Sequence, residues 1–245
     1  MCDSCDQKTK PSNSLDRRRF LAAMVSTAGL VAAGVPLAAD AAPKPENVTT
    51  PDAALARLMQ GNARYVSGVE TPNSFKTTHQ ALASGQNPYA CILGCADSRV
   101  SPELCFNENQ GDLFVTRVAG NYVTPEILAS LEYGTAVLKA PLIMVLGHTS
   151  CGAINAAIKA VKKDEDFPGH IQKLATDLSP AVVDAMKSKP EDLELAAVRQ
   201  NVLLNVAKLS NSTPLLRRMV RNGQLRVVGG VYDLNTGQVN LVTAA

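Results

Sequence analysis

Short apolar runs bounded by turn residues alternate along this chain with stretches of three-to-four periodicity. Tyr89-Ala90-Cys91-Ile92-Leu93-Gly94, closed off by Pro88 and by the polar positions after Gly94, reads as a buried strand. Gly111 to Val118 and Pro141 to Leu146 read as a second and a third strand. Ahead of them, Thr50-Pro51-Asp52 carries the signals of a helix start: a hydroxyl at the cap, proline in the first turn and a carboxylate beside it. Leu55, Leu58, Met59 and Asn62 follow at helical spacing, with Gly61 and Gly68 marking the expected end. Ser101-Pro102-Glu103 opens a short helix over Leu104, Cys105 and Phe106. Thr124-Pro125-Glu126 caps another, with Ile127, Leu128, Leu131 and Tyr133 on its apolar positions. Further helices are predicted over Ile154–Val161, Asp192–Leu209 and Pro214–Arg221. Leu225–Tyr232 and Gln238–Val242 flank Asp233-Leu234-Asn235-Thr236-Gly237, a hairpin signal.

Two segments fit the alternation poorly. Residues 71 to 85 are polar with a short helical section that includes His79, and residues 162 to 190 are charged and carry three prolines, as surface helices and loops do. The alternation as a whole predicts an α/β fold, a parallel-core β-sheet flanked by helices. Internal repeats, a phosphate-binding Walker loop and a dinucleotide glycine fingerprint are absent from the sequence.

The first 41 residues read as an export signal peptide. Asp16-Arg17-Arg18-Arg19-Phe20-Leu21 places basic residues before an apolar run from Leu21 to Ala39, and Ala39-Asp40-Ala41 offers small residues for cleavage. The paired arginines followed by Phe-Leu resemble a twin-arginine signal, so the export machinery of that route is an expected partner of the precursor. The expected destination is the periplasm, or a thylakoid lumen in a photosynthetic source, with a membrane-anchored form if the signal is retained. Residues 42–50 read as a linker and 51–245 as one catalytic domain.

Composition narrows the partners. A hydrophobic share of 46% with 19% charged residues is the balance of a folded globular chain. Aromatics make up only 4%, Trp is absent, and a net charge of +2 comes without a basic stripe, so nucleic acid is excluded as a partner. Cys2 and Cys5 fall in the segment read as signal and are taken as incidental thiols. Cys91, Cys95, Cys105 and Cys151 remain; a pair of disulfides is the alternative to a thiolate site, but a chain this long has no need of staples.

Candidate chemistry gathers in two stretches, Cys95-Ala96-Asp97-Ser98-Arg99 and His148-Thr149-Ser150-Cys151-Gly152. Cys95 and His148 each end a predicted strand, where ligand sites collect in open α/β sheets. Two thiolates and an imidazole suit tetrahedral Zn2+, and three protein ligands leave a fourth position for water or substrate. Asp97 stands two residues from a ligand and Arg99 can pair with it, holding it ionised and away from the metal. His79 and His170 lie in polar segments and read as surface histidines, and Cys91 and Cys105 as buried structural thiols.

Gly94-Cys95-Ala96-Asp97-Ser98-Arg99-Val100 with Gly147-His148-Thr149-Ser150-Cys151-Gly152 resembles the β-class carbonic anhydrases. Gly61-Asn62-Ala63-Arg64-Tyr65, Gly111-Asp112-Leu113-Phe114-Val115 and Val227 to Leu234 extend the likeness over most of the chain after residue 50. The resemblance implies Cys95, His148 and Cys151 as zinc ligands and Asp97 with Arg99 as a catalytic dyad. It implies reversible hydration of CO2 to bicarbonate and a proton by a metal-bound hydroxide, favoured at alkaline pH because two thiolates already neutralise the ion. It also places Gln86, Phe114, Ala119, Tyr133 and Gly152 on the substrate pocket, Gln86 as a donor to bicarbonate, with a second subunit completing that pocket in a homodimer or higher even oligomer. Ile92 stands where members with a closed, bicarbonate-stabilised site carry Trp, so an open site is expected. Hydrolysis of carbonyl sulfide or carbon disulfide, and non-catalytic bicarbonate binding on a zinc scaffold, are the alternatives.

Overall fold

The computed structural model describes residues 50–69, 79 and 82–242. The export signal, the Cys2–Cys5 pair, most of the linker and most of the polar stretch from 71 to 81 lie outside the described residues. Thr50 caps α1 (Pro51–Val66) as expected, its hydroxyl accepting from the Ala53 amide at 3.3 Å. Then follow β1 (Ala90–Gly94), α2 (Pro102–Cys105), β2 (Leu113–Arg117) and α3 (Pro125–Glu132), which a π turn over Tyr133–Val137 extends. The chain continues through β3 (Leu142–His148), α4 (Gly152–Lys163), α5 (Ile171–Met186), α6 (Leu193–Ser210) and α7 (Leu216–Arg221) to β4 (Arg226–Tyr232) and β5 (Val239–Val242).

The five strands form one sheet in the order β2-β1-β3-β4-β5. The first four are parallel, and β5 returns antiparallel to β4 as the hairpin signal predicts. Every residue of β1 and β3 is buried, which explains their unbroken apolar runs: helices cover both faces of the sheet. Successive side chains enter opposite cores. Cys91, Leu93, Ile143 and Val145 pack with residues of α4, α5 and α6, while Ala90, Ile92, Met144 and Leu146 pack with α1 and α2. Arg57 of α1 forks onto Glu108 at 3.2 and 2.6 Å, and Glu108 also accepts the Tyr89 hydroxyl at 2.9 Å, fixing α1 to the start of β1.

Three expectations change. Gly61 does not end α1, which runs on to Val66; it allows close packing, because a Cβ there would stand 1.9 Å from the Phe106 carbonyl oxygen. Residues 171–186 form the 16-residue helix α5, which is less a surface element than expected, because it buries Ala175, Leu178, Ala181, Val182 and Ala185 beside α4 and α6. Tyr133 leaves the apolar face of α3 because the π turn begins there, and it is 48% exposed. The short spacing of Ala residues along α5 lets it approach α4 and α6, a pattern that charge content alone conceals.

Gly61→Ala tests the close packing of α1 on α2. A methyl group forced against a backbone carbonyl should cost about 1–3 kcal/mol, as core overpacking does. Thermal or denaturant unfolding checks this, and an unchanged midpoint would refute the contact.

Candidate metal centre

The sheet topology creates the site. From β1 the chain crosses to β2 on one side, then passes to β3 on the other side of β1, so the carboxyl ends of β1 and β3 border a crevice where the winding reverses. Gly94 pairs with Leu146 in parallel register, which sets Cys95 and His148 at neighbouring strand ends. Ser150, in the left-handed region at φ 54°, turns the chain so that Cys151 precedes α4 beside them. One donor atom from each of Cys95, His148 and Cys151 lies within 4.8 Å of the others, and all three residues are buried.

These donors fit a metal ion. His148 Nδ1 lies 2.9 Å from the Thr149 carbonyl oxygen, which can only accept, so the ring proton is on Nδ1 and the Nε2 lone pair is free. Nε2 is buried with no hydrogen-bond partner. The Cys95 thiol is more acidic than an ordinary cysteine because Cys151 hydrogen-bonds to it, with further help from the Gly120 amide. The Cys95 thiolate in turn raises Cys151, so the two share a proton that a cation would displace. Cys91 and Cys105 behave oppositely: burial pushes them up to about 12 and about 11, which marks them as the structural thiols the sequence predicts. All four described cysteines are free, so the disulfide alternative is not the arrangement found.

Asp97 lies beside the donor group without joining it. Its Oδ2 is 3.9 Å from His148 Nε2. Arg99 holds it with three bonds: its amide and Nε each reach Oδ1 at 2.9 Å, and its terminal nitrogen reaches Oδ2 at 2.7 Å. That grip holds the Asp97 carboxyl well below the usual carboxylate range. The same terminal nitrogen donates to the Ser150 carbonyl at 3.1 Å, so one guanidinium ties the first motif to the second.

Two features escape the sequence reading. Arg117, at the end of β2, donates to the Cys95 carbonyl at 2.8 Å and to the Asp97 carbonyl at 2.6 Å, and so shapes the loop from Cys95 to Asp97. The Gly120 amide donates to Cys95 Sγ at 3.2 Å from a backbone at φ +80°, where a Cβ would also meet Leu178 at 2.6 Å. Arg117 closes the predicted second strand and Gly120 lies just beyond it, but nothing local in the sequence ties them to Cys95.

Of the residues assigned to a pocket, Phe114 and Tyr133 form a ring pair with centroids 6.2 Å apart. Ala119 is half-buried, Gly152 is exposed at the start of α4 with open space around its Cβ position, and Gln86 is exposed on the segment before β1. His79 and His170 are exposed, as expected. A cavity of about 560 Å³ lies behind the loop from Tyr122 to Glu126, lined also by Lys173, Asp177 and Asn205, and none of the three donors borders it.

Residues 90–239 match the family model described as carbonic anhydrase. A carbonic anhydrase of Mycobacterium tuberculosis is 38% identical over 197 residues, which cover 79% of this chain and 93% of that protein. One from Pseudomonas aeruginosa is 35% identical over 177 residues, covering 68% and 78%. Among solved structures, a Coccomyxa β-carbonic anhydrase bound to acetazolamide superposes with a TM-score of 0.59 at 31% identity, over 77% of this chain and 86% of that one. The tetrameric β-carbonic anhydrases of Sordaria macrospora give a TM-score of 0.60 at 26% identity, over 69% and 90%. The strand-end Cys and His, the Cys that follows them and the sheet that gathers all three are thus accounted for together: this chain belongs to the carbonic anhydrase family, in its β class.

Proposed function

We propose that the chain catalyses the reversible hydration of CO2 to bicarbonate and a proton, with Zn2+ held by Cys95, His148 and Cys151. The carrying observation is the Asp97–Arg99 pair: a carboxylate fixed beside three convergent donors yet clasped so that it stays off the metal. Zinc, which two thiolates and one imidazole suit better than a hard cation, supplies a nucleophile near neutral pH by acidifying a coordinated water. Asp97 supplies an ionised acceptor at fixed distance from the donors, able to orient a hydroxyl by accepting its hydrogen. Arg99 holds the carboxylate in that place and blocks its approach to the ion, which leaves a coordination position open to solvent and substrate. A purely structural site has no use for such a pair, so the geometry favours an enzyme over a non-catalytic bicarbonate binder.

The pocket around this centre draws on Phe114, Ala119, Tyr133, Gly152 and Gln86. Tyr133 is half exposed and Gln86 is exposed within one chain. A second copy packed on that side would bury them and complete the pocket, in keeping with the tetrameric relatives, and a homodimer or higher even oligomer is the proposed assembly. Residues 1–41 carry the proposal of export through a twin-arginine route to the periplasm. Among the described residues no helix is long and apolar enough to cross a membrane.

Three measurements test the reading. Protein prepared with zinc should carry one ion per chain, lose it with its activity on chelation, and recover both on adding zinc back; Cys95→Ala should fail to hold the ion. In stopped-flow CO2 hydration, Arg99→Ala should lower kcat/KM by about 10–100-fold, the usual cost of removing a group that orients a metal site's surroundings. Equal rates in the two proteins would sink the proposed role of the pair. Faster turnover of carbonyl sulfide than of CO2 by the unaltered enzyme would replace the substrate while keeping the site.

A further inference from the structure

Helix α6 buries two asparagines one turn apart, Asn201 at 4% and Asn205 at 6% exposure, on a face otherwise occupied by Ala197, Val198, Val202 and Leu209. Buried amides in such surroundings are costly unless every polar atom finds a partner. Their partners lie in the loop that follows β2. Asn201 Nδ2 donates to the Gly120 carbonyl at 2.8 Å. Asn205 Nδ2 donates to Asn201 Oδ1 at 3.0 Å and to the Asn201 carbonyl at 2.8 Å, and Asn205 Oδ1 accepts the Val123 amide at 2.8 Å. Lys208, a further turn along, donates to the Val123 carbonyl at 2.8 Å. The loop from Gly120 to Val123 is therefore pinned to α6 at both ends.

The inner end of that ladder reaches the donor group. Gly120, whose carbonyl Asn201 holds, gives its amide hydrogen to Cys95 Sγ. Gly120 lies at φ +80°, a backbone conformation open to several alternatives, so something outside the loop must select the one that aims its amide at sulfur. Asn201 Oδ1, receiving from Asn205, leaves Nδ2 as the side chain's donor, and the amide orientation is determined by the network.

We infer that Asn201 is a positioning residue of the metal centre: with Asn205 behind it, it aims the Gly120 amide at the Cys95 thiolate and thereby sets how much charge that sulfur gives to the ion. This rests on the reading of Cys95 as a metal ligand. An N–H bond to a ligand sulfur withdraws charge from it, and groups behind the ligands commonly change metal affinity by about 10–100-fold when removed. The Asn201 effect reaches Cys95 indirectly, through the backbone of Gly120 from its carbonyl to its amide, so a value near the lower end is expected.

The experiment compares Asn201→Ala with Asn62→Ala in full-length protein. Asn62 is the control because it is equally buried and bonds the Cys105 and Gly237 carbonyls and the Val239 amide, none of which touches the donor group. Both variants should lower Tm. Only Asn201→Ala should weaken zinc about 10-fold in competition with a chelator. Only Asn201→Ala should also move the thiolate-to-metal charge-transfer band of the cobalt-substituted protein to longer wavelength, as a sulfur freed from its hydrogen bond becomes the better electron donor. Unchanged affinity and band in Asn201→Ala, or equal changes in both variants, would overturn the inference. If Asn201→Ala does not fold, Asn205→Ala, which keeps the Gly120 contact but frees its donor, is read by the same two signals, expected in the same direction and smaller. Unaltered protein that takes up neither zinc nor cobalt would overturn the site reading, and this inference with it.

Discussion

The register between β1 and β3 is the constraint on which the site depends. Parallel strands cannot slide by one residue without turning their side chains to the opposite face, and here both faces are buried. The Gly94–Leu146 pairing is therefore locked by Ile92, Met144 and Leu146 in one core and by Cys91, Leu93, Ile143 and Val145 in the other. Apolar burial, which carries no chemical specificity, thus places two donors from segments more than fifty residues apart at adjacent strand ends.

What the sheet does not do is orient those donors. That falls to groups with almost no apolar area: the Thr149 carbonyl on His148 Nδ1, the Gly120 amide on Cys95 Sγ, and Arg117 on the Cys95 and Asp97 carbonyls. They act on a ring nitrogen, a sulfur and two backbone carbonyls, and they come from the residue after His148 and from the end of β2 with the loop beyond it. The division is physical. Packing energy scales with area and fixes positions to the nearest strand residue, whereas a hydrogen bond fixes direction, and a metal ligand needs both.

This division also explains how much could be read from the sequence. The strands, the capped starts of α1 and α3, the hairpin and the donor set were legible because each has a local signature in residue type or spacing. The packing role of Gly61, the π turn at Tyr133 and the core face of α5 were not, because each is decided by a neighbour distant in sequence: the Phe106 carbonyl for Gly61, the second helical layer for α5. Asn201 and Asn205 left a faint trace, two amides at i and i+4 on an apolar helical face, a pattern that needs partners but does not say where they are.

Arg99 poses a different question, since its side chain is 53% exposed and surface ion pairs contribute little to stability. Its three bonds to a carboxylate only two residues away close a small ring that the fold does not need: the turn is already shaped by Arg117 on the Cys95 and Asp97 carbonyls. An exposed arginine held so tightly, and bonded across to Ser150, is best explained by what it prevents. Asp97 Oδ2 stands 3.9 Å from the free nitrogen of His148, a distance that a change of side-chain rotamer could close. A carboxylate is a competent ligand for the zinc proposed at these donors, and once bound it would fill the position that the proposed reaction needs open. The Arg99 clasp raises the cost of that movement by the loss of a bidentate, charge-assisted pair, while leaving the carboxylate ionised and close enough to act.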